Sequence, residues 1–292
     1  MTVLVTGAGG QLGRELVRAG GDRVIGLTRA RLDITDREAV RQAMEMHAPT
    51  VVLNAAAYTA VDRAESEPEA AFAVNRDGPA YLADACAEAG IPLLHVSTDY
   101  VFDGTKGAPY TEDDKANPLG IYGQSKWAGE EAVRARLDRH VVLRTSWVFS
   151  AHGHNFVKTV LRLSRERDAL RIVADQHGTP TAAADLARAA LQIAERLATD
   201  PDAPHGTFHF AGMPATTWHG LAEAVVEEAR RHGSVRAERA EPIPTSAYPT
   251  PARRPADARL DTSCLTDVWG IAPPSWRDAL REVVAACMEP AR

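Results

Sequence analysis

Short, nearly uninterrupted apolar blocks punctuate the first half of the chain, at residues 2–6, 23–28, 50–55, 91–97 and 140–148. Each is followed by a polar turn and a stretch of helix-forming residues. Apolar runs of this length, without alternation, read as strands buried on both faces. Thr35-Asp-Arg-Glu38 is a capping-box sequence that opens the next helix. Residues 68–89 read as one long or broken helix, with Gly78-Pro79 as the break. Residues 156–165 read as helix and 170–174 as a sixth strand. Strands alternating with helices predict an α/β fold, a Rossmann-type doubly wound parallel sheet with helices on both faces. The last third reads differently: a strand at 207–211, helices at 218–231 and 275–288, and a proline-rich extended stretch at 242–255. The expected division is a dinucleotide-binding domain over residues 1–150 and a smaller, mainly substrate-binding α/β part over 151–292, with some later elements returning to the first.

A chain of 292 residues suits one large domain or two intimate ones. The net charge of -6, with no long basic run, gives no electrostatic footprint for nucleic acid. No apolar run reaches about 18 residues, and no charged leader precedes the first strand, so neither membrane nor export is expected. Cys86, Cys264 and Cys287 are odd in number and lack metal-ligand spacing, which reads as reduced thiols in a cytoplasmic protein.

The candidate chemistry clusters where strands should end. Gly7, Gly10 and Gly13 lie between the first strand and first helix. Glycines there permit a tight turn and close backbone approach, and the helix N-terminus accepts a pyrophosphate. The second strand runs into Arg29 and Arg31 with no acid at its end. Either these arginines are solvated loop charges or one takes the 2'-phosphate of NADPH, Arg29 being nearer the strand. Asp33-Ile34 follows and is placed to bracket the adenine. Asn54-Ala-Ala-Ala57-Tyr-Thr59 ends the third strand with small residues on which a cofactor can lie. The fourth enters Ser97-Thr98-Asp99-Tyr100, with two hydroxyls at its carboxyl end. The fifth ends in Arg144-Thr-Ser-Trp147, where Trp147 is either a pocket wall or a core aromatic. Tyr122 and Lys126, four residues apart, share one face of an expected helix. An ammonium beside a phenol favours the phenolate and makes it a usable general acid. His177 and the histidines of Ala151-His-Gly-His154 have no partners at metal-ligand spacing.

Taken in order, the glycine turn, Asn-Ala-Ala-Ala, Ser-Thr-Asp-Tyr-Val-Phe and Tyr-x-x-x-Lys resemble the extended short-chain dehydrogenase/reductase superfamily. Within it, Ala60-Val-Asp-Arg-Ala-Glu-Ser-Glu-Pro-Glu69, Arg144-Thr-Ser-Trp147 and Asp175-Gln-His-Gly-Thr-Pro-Thr181 resemble the dTDP-4-dehydrorhamnose reductase family. Pro251-Ala-Arg-Arg-Pro255 and Leu260-Asp-Thr262 fit the same family. The resemblance implies reduction of the 4-keto group of dTDP-4-dehydro-L-rhamnose by NADPH or NADH, in a monomer or homodimer. It implies Tyr122 as proton donor, Lys126 as its electrostatic partner and ribose ligand, and Thr98 at the substrate carbonyl. It places Gly10, Gln11 and Leu12 on the pyrophosphate, Asp33 and Ile34 on the adenine side, and Ala57, Tyr58 and Thr59 on the inner cofactor. Asp99, Tyr100 and Trp147 would line the sugar pocket, with Asn155, Thr179, Pro180 and Arg254 toward the nucleotide. A magnesium ion occurs in some members, and Glu15 stands where one ligand would be. Alternatives are a reductase of another nucleotide-activated 4-keto-6-deoxysugar, or a non-catalytic regulatory subunit on this fold. Asp99 after Thr98 also resembles a dehydratase, but the rhamnose-type motifs outweigh it.

Overall fold

The computed structural model describes residues 1–233 and 235–288. Strands β1 (Val3–Thr6), β2 (Val24–Leu27), β3 (Val51–Asn54), β4 (Leu93–Thr98) and β5 (His140–Thr145) follow the five apolar blocks to within a few residues. After them come β6 (Val148–Phe149), β7 (Ala169–Val173), β8 (His177–Gly178), β9 (Thr181–Ala182), β10 (Gly206–His209), β11 (Thr216–Thr217) and β12 (Arg239–Ile243). The main sheet is six-stranded, in the order β10-β5-β4-β3-β1-β2, and every neighbouring pair is parallel. The helices are α1 (Gln11–Gly20), α2 (Arg37–His47), α3 (Val61–Ala64), α4 (Pro68–Phe72), α5 (Gly78–Ala89), α6 (Ile121–Arg134), α7 (Phe156–Glu166), α8 (Ala183–Thr199), α9 (Trp218–His232), α10 (Ser263–Trp269) and α11 (Trp276–Met288).

Successive strand residues point to opposite faces, and both faces are covered. Val3 and Val5 of β1 join Leu16 of α1 and Leu186 and Ile193 of α8 in one cluster. Leu4 points the other way, into a cluster with Val40 of α2, Leu82 of α5 and Val133 of α6. This two-sided burial is why the strands read as apolar blocks rather than alternating patterns. A second core holds the C-terminal part together. Val160 of α7, Leu221 and Val225 of α9, and Trp276 and Leu280 of α11 are its buried centre.

Several local expectations are corrected. The capping residue of α2 is Asp36, not Thr35: its side chain accepts from the N–H groups of Glu38 and Ala39. A carboxylate serves here as well as a hydroxyl and also faces the positive end of the helix. Residues 68–89 do not break at Gly78-Pro79. A π-helical turn over Ala73–Asp77 sits inside the helix, and Pro79 occupies the first turn of its continuation, where no N–H is needed. Residues 169–173 do form a strand, but it pairs in parallel with β12 outside the main sheet. The sixth strand of that sheet is β10, beside β5. Residues 140–148 split into β5 and β6 because Trp147 turns the chain with φ 45. The proline-rich stretch begins inside β12 and continues into a short 3-10 turn at Thr245–Ala247. Thus α8 and β10, both beyond residue 150, pack on the first unit.

Candidate functional site

The order of the main sheet reverses between β1 and β3, and a crevice outside the strand ends at such a point is where open α/β sheets take ligands. Two cavities lie there. The outer one, about 340 Å³, is lined by Gly7, Gly10, Arg29, Asp33, Ile34 and the 55–60 segment that includes Ala57 and Tyr58. The inner one, about 300 Å³, is lined by Gln11, Thr98, Asp99, Tyr100, Tyr122, Trp147, Asn155, Phe156 and Trp218. Thr59 lines both. Each volume is of the size that holds a ligand of moderate size.

The glycine turn is shaped by backbone approach. Gly7 takes φ +70, and a Cβ on Gly13 would sit 2.2 Å from the carbonyl oxygen of Gly7. Gly10 caps α1 without a side chain, and no acid stands in the first turn. The first N–H groups of α1 therefore stay available to an anion. Leu12 contributes its backbone there, while its side chain is buried in the core. Gln11 Oε1 accepts from Asn155 Nδ2 at 2.8 Å and from Ser150 Oγ at 3.1 Å. Asn155 also caps α7, so this one amide ties the glycine turn to the C-terminal part.

At the mouth, Arg29 faces Asp33 at 3.6 Å, with 83% of the Arg29 side chain exposed. The Asp33 carboxyl is held below its ordinary range, first by the N–H of Thr35. Ile34 is buried beneath it. The second strand has no acid at its end, yet the fold brings one back beside Arg29. Tyr58 is fixed by Asn75, whose amide accepts from the Tyr58 N–H at 2.8 Å and donates to the Tyr58 carbonyl at 3.1 Å. Asn75 lies in the π turn, so that irregularity sets the loop that lines the outer cavity.

Deep in the inner cavity, Thr98 ends β4 and Tyr122 stands on the first turn of α6. A Cβ on Gly123 would sit 2.2 Å from the carbonyl oxygen of Tyr100, so glycine lets α6 press against the strand-end loop. Tyr100 packs edge-on against Tyr122, with ring centroids 5.5 Å apart. The Thr98 hydroxyl donates to Asp99 Oδ1 at 3.0 Å. Asp99 is buried with its second oxygen unpartnered, and burial pushes its carboxyl up to about 7. Tyr122 keeps part of its surface open to the cavity although its phenol lies deep. Burial pushes that phenol up to about 12, the Thr98 hydroxyl opposing and Asp99 adding to the rise. The expected lowering of the phenol by Lys126 is not what this arrangement produces. Lys126 Nζ donates instead to the carbonyl of Val96 at 2.6 Å and sits 3.4 Å from His95 Nε2. Burial lowers the Lys126 ammonium to about 8, against the pull of Glu130.

Other expected residues engage their polar groups within the protein, Ser97 among them although it lines the inner cavity. The Ser97 hydroxyl donates to Glu130 at 2.5 Å rather than facing a ligand. Glu130 also pairs with buried Arg144 at 2.8 Å; burial works to raise its carboxyl, but Arg144 overrides this and holds it low. Thr179 and Pro180 are buried behind the wall, where the Thr179 carbonyl accepts from Ser146 Oγ at 2.6 Å. Arg254 pairs with Asp62 at 2.8 Å, fastening the C-terminal segment to α3. Trp147 is a wall and not a core residue alone: it stacks on Trp218 with centroids 3.5 Å apart. Trp218, Phe156 and His154 line the inner cavity, and sequence reasoning missed all three. Glu130 had a signal, one helical turn beyond Lys126, but His95 had none. Glu15 pairs with Arg18 at 2.7 Å, and no group of three or more His, Cys, Asp or Glu placed to hold a metal ion occurs among the described residues. Among those residues, no helix is long and apolar enough to cross a membrane.

The sequence profile of the RmlD substrate binding domain matches residues 1–289. The chain is 42% identical over 288 residues to dTDP-4-dehydrorhamnose reductase of Aggregatibacter actinomycetemcomitans, covering 97% of this chain and 98% of that protein. The crystal structure of a dTDP-4-dehydrorhamnose reductase from Clostridium acetobutylicum superposes with a TM-score of 0.90 at 36% identity, covering 97% of this chain and 98% of that one. The dTDP-4-dehydrorhamnose reductase of Bacillus anthracis, solved in complex with NADP, gives a TM-score of 0.88 at 32% identity over 97% of this chain and 99% of its own. With a profile match over nearly its whole length and a relative at 42% identity covered over 98% of its own length, this chain belongs to the RmlD substrate binding domain family.

Proposed function

We infer that this chain reduces the 4-keto group of dTDP-4-dehydro-L-rhamnose to give dTDP-L-rhamnose, using NADPH. The observation that carries the reading is the meeting of Thr98 and Tyr122 in one aromatic-walled cavity adjoining the glycine turn, with Lys126 buried one helical turn behind Tyr122. The relatives named for this reaction, one of them solved with NADP, support it.

The outer cavity fits a dinucleotide. Gly7 and Gly13 make a turn that no Cβ would allow, and the uncapped N-terminus of α1 offers N–H groups to a pyrophosphate. Ala57, Tyr58 and Thr59 would support the inner half, Asp33 and Ile34 the adenine side, and Arg29 the 2'-phosphate. When bound, NADPH supplies the hydride for the carbonyl carbon. Tyr122 donates its phenolic proton to the carbonyl oxygen as negative charge develops there. The Thr98 hydroxyl turns from Asp99 to the same oxygen and stabilises that charge. Lys126 does not lower the resting phenol, and its role as an ammonium falls at the tyrosinate formed once the proton has left. Asp99, its carboxyl pushed up to about 7 by burial, carries only part of a negative charge beside the oxyanion near neutral pH. Tyr100, Trp147 and Trp218 shape the sugar side.

The test is oxidation of NADPH by the purified chain against a panel of dTDP-4-keto-6-deoxysugars. The rhamnose precursor is expected to exceed the others in kcat/KM by roughly tenfold or more. Equal or better turnover of a different sugar would make the chain a reductase of that sugar. No turnover with any would return it to the non-catalytic reading.

A further inference from the structure

Thr6, Asn54 and His95 form a chain of side chains directly beneath Lys126, and all three are fully buried. Asn54 Oδ1 accepts from Thr6 Oγ1 at 2.7 Å and from the backbone N–H of Ala56 at 3.1 Å. A backbone N–H can only donate, so it fixes which end of the Asn54 amide faces it. The amide nitrogen is therefore the end turned to His95 Nδ1, at 3.0 Å. A ring nitrogen that receives an amide N–H must offer its lone pair. The His95 proton then resides on Nε2, the nitrogen 3.4 Å from Lys126 Nζ. Imidazolium is excluded on the same geometry, because Nδ1–H would meet the Asn54 amide head-on. Burial, followed by the charge of Lys126, independently keeps the ring neutral.

We propose that Thr6 and Asn54 lock His95 in the Nε2–H tautomer and aim that N–H at the amine of Lys126, so that His95 governs the proton affinity of Lys126. An Nε2–H facing an ammonium is donor against donor. Facing a neutral amine, it is donor to lone pair. The lock thus weakens the hold of Lys126 on its proton while the Val96 carbonyl keeps the amine in place. The remaining groups around the pair do not reproduce this effect. Tyr122 and Glu130 lie one turn either side on α6, and Glu130, although paired with Arg144 from β5 and with Arg134, pulls Lys126 the other way, toward the ammonium. The charges of Arg134 and His140 also disfavour imidazolium at His95. His95 is a positioning residue: it touches neither cavity and acts through Lys126. The consequence for catalysis rests on the reading of Lys126 as the partner of Tyr122; the tautomer does not.

The test reads the imidazole and the lysine directly, without turnover. In the intact protein, ring 15N spectra of His95 should show a protonated Nε2 and an unprotonated Nδ1. A protonated Nδ1 overturns the proposal whatever the enzyme does. Asn54→Asp keeps the shape but makes the end facing His95 an acceptor, which should move the ring proton to Nδ1. The 13Cε resonance of Lys126, followed through alkaline pH, should then report a proton affinity raised about tenfold or more, the size of one reversed hydrogen bond. An inverted tautomer with unchanged Lys126 titration overturns the coupling. If both spectra behave as expected but NADPH oxidation is absent, the proposed reaction fails and the tautomer lock stands.

Discussion

The two ends of the ligand groove are built on opposite terms. At the inner end, Lys126, Glu130, Arg144 and His95 are buried, and each is held by at least one named partner before any ligand arrives. At the mouth, Arg29 is 83% exposed and opposes Asp33 across 3.6 Å of solvent-washed surface. Groups that stabilise charge in a reaction work best when already oriented and shielded from water. Groups that select one cofactor need only contribute binding, and exposed charge pairs contribute little. The difference accords with the proposed reading, in which chemistry belongs to the inner end and cofactor preference to the mouth. It also predicts unequal consequences of mutation.

The largest effect falls on Tyr122. Tyr122→Phe removes the positioned acid and leaves its ring packing against Tyr100. Turnover at saturating substrate should fall by roughly 10²–10⁴. Near-native turnover would move the acid elsewhere and dissolve the contrast. A smaller effect concerns Asp99, through stability and pH. Its folded carboxyl is raised to about 7 from 3.8, so the stability it contributes is full below the lower value and is lost as pH rises through the upper one. Asp99→Asn should therefore gain on the native protein between about pH 5 and about pH 8, by roughly 2–4 kcal/mol. Urea midpoints at the two pH values measure it, and a constant difference would mean that Asp99 titrates alike folded and unfolded. The smallest effect is at the mouth. Arg29→Ala should lower kcat/KM with NADPH about fivefold and leave NADH unaffected, because Arg29 is exposed and Asp33 competes for it. A larger loss with NADPH would show a better-held phosphate contact than this geometry provides.

The same contrast separates what the sequence revealed from what it hid. The five apolar strands and the glycine turn were legible because each is a local pattern: both-face burial writes a continuous run, and Gly13 marks a backbone approach. Tyr122 and Lys126 were legible because helical spacing alone puts them on one face. The partners of Lys126 were not. His95 comes from β4 and Asn54 from β3, and only strand pairing brings them together. Asp33 reads in the sequence as a bracket for the adenine, and no local pattern shows that the turn after β2 also folds it back onto Arg29. Trp218 reaches Trp147 from α9, far along the chain, so no local spacing announces their stack. Residues 169–173 carry a genuine strand pattern, and no local signal distinguishes pairing with β12 from a place in the main sheet.

The claim that the inner end performs the reaction while the mouth selects the cofactor is tested most directly at Thr98, which lines the inner cavity beside Tyr122. Thr98→Val keeps the shape and deletes the hydroxyl. The measurement is kcat in single turnover together with the Kd for NADPH, on the same preparation. The account predicts kcat lower by roughly 10²–10³ with the NADPH Kd unchanged. A weakened Kd with kcat preserved would place Thr98 in the cofactor site and contradict it.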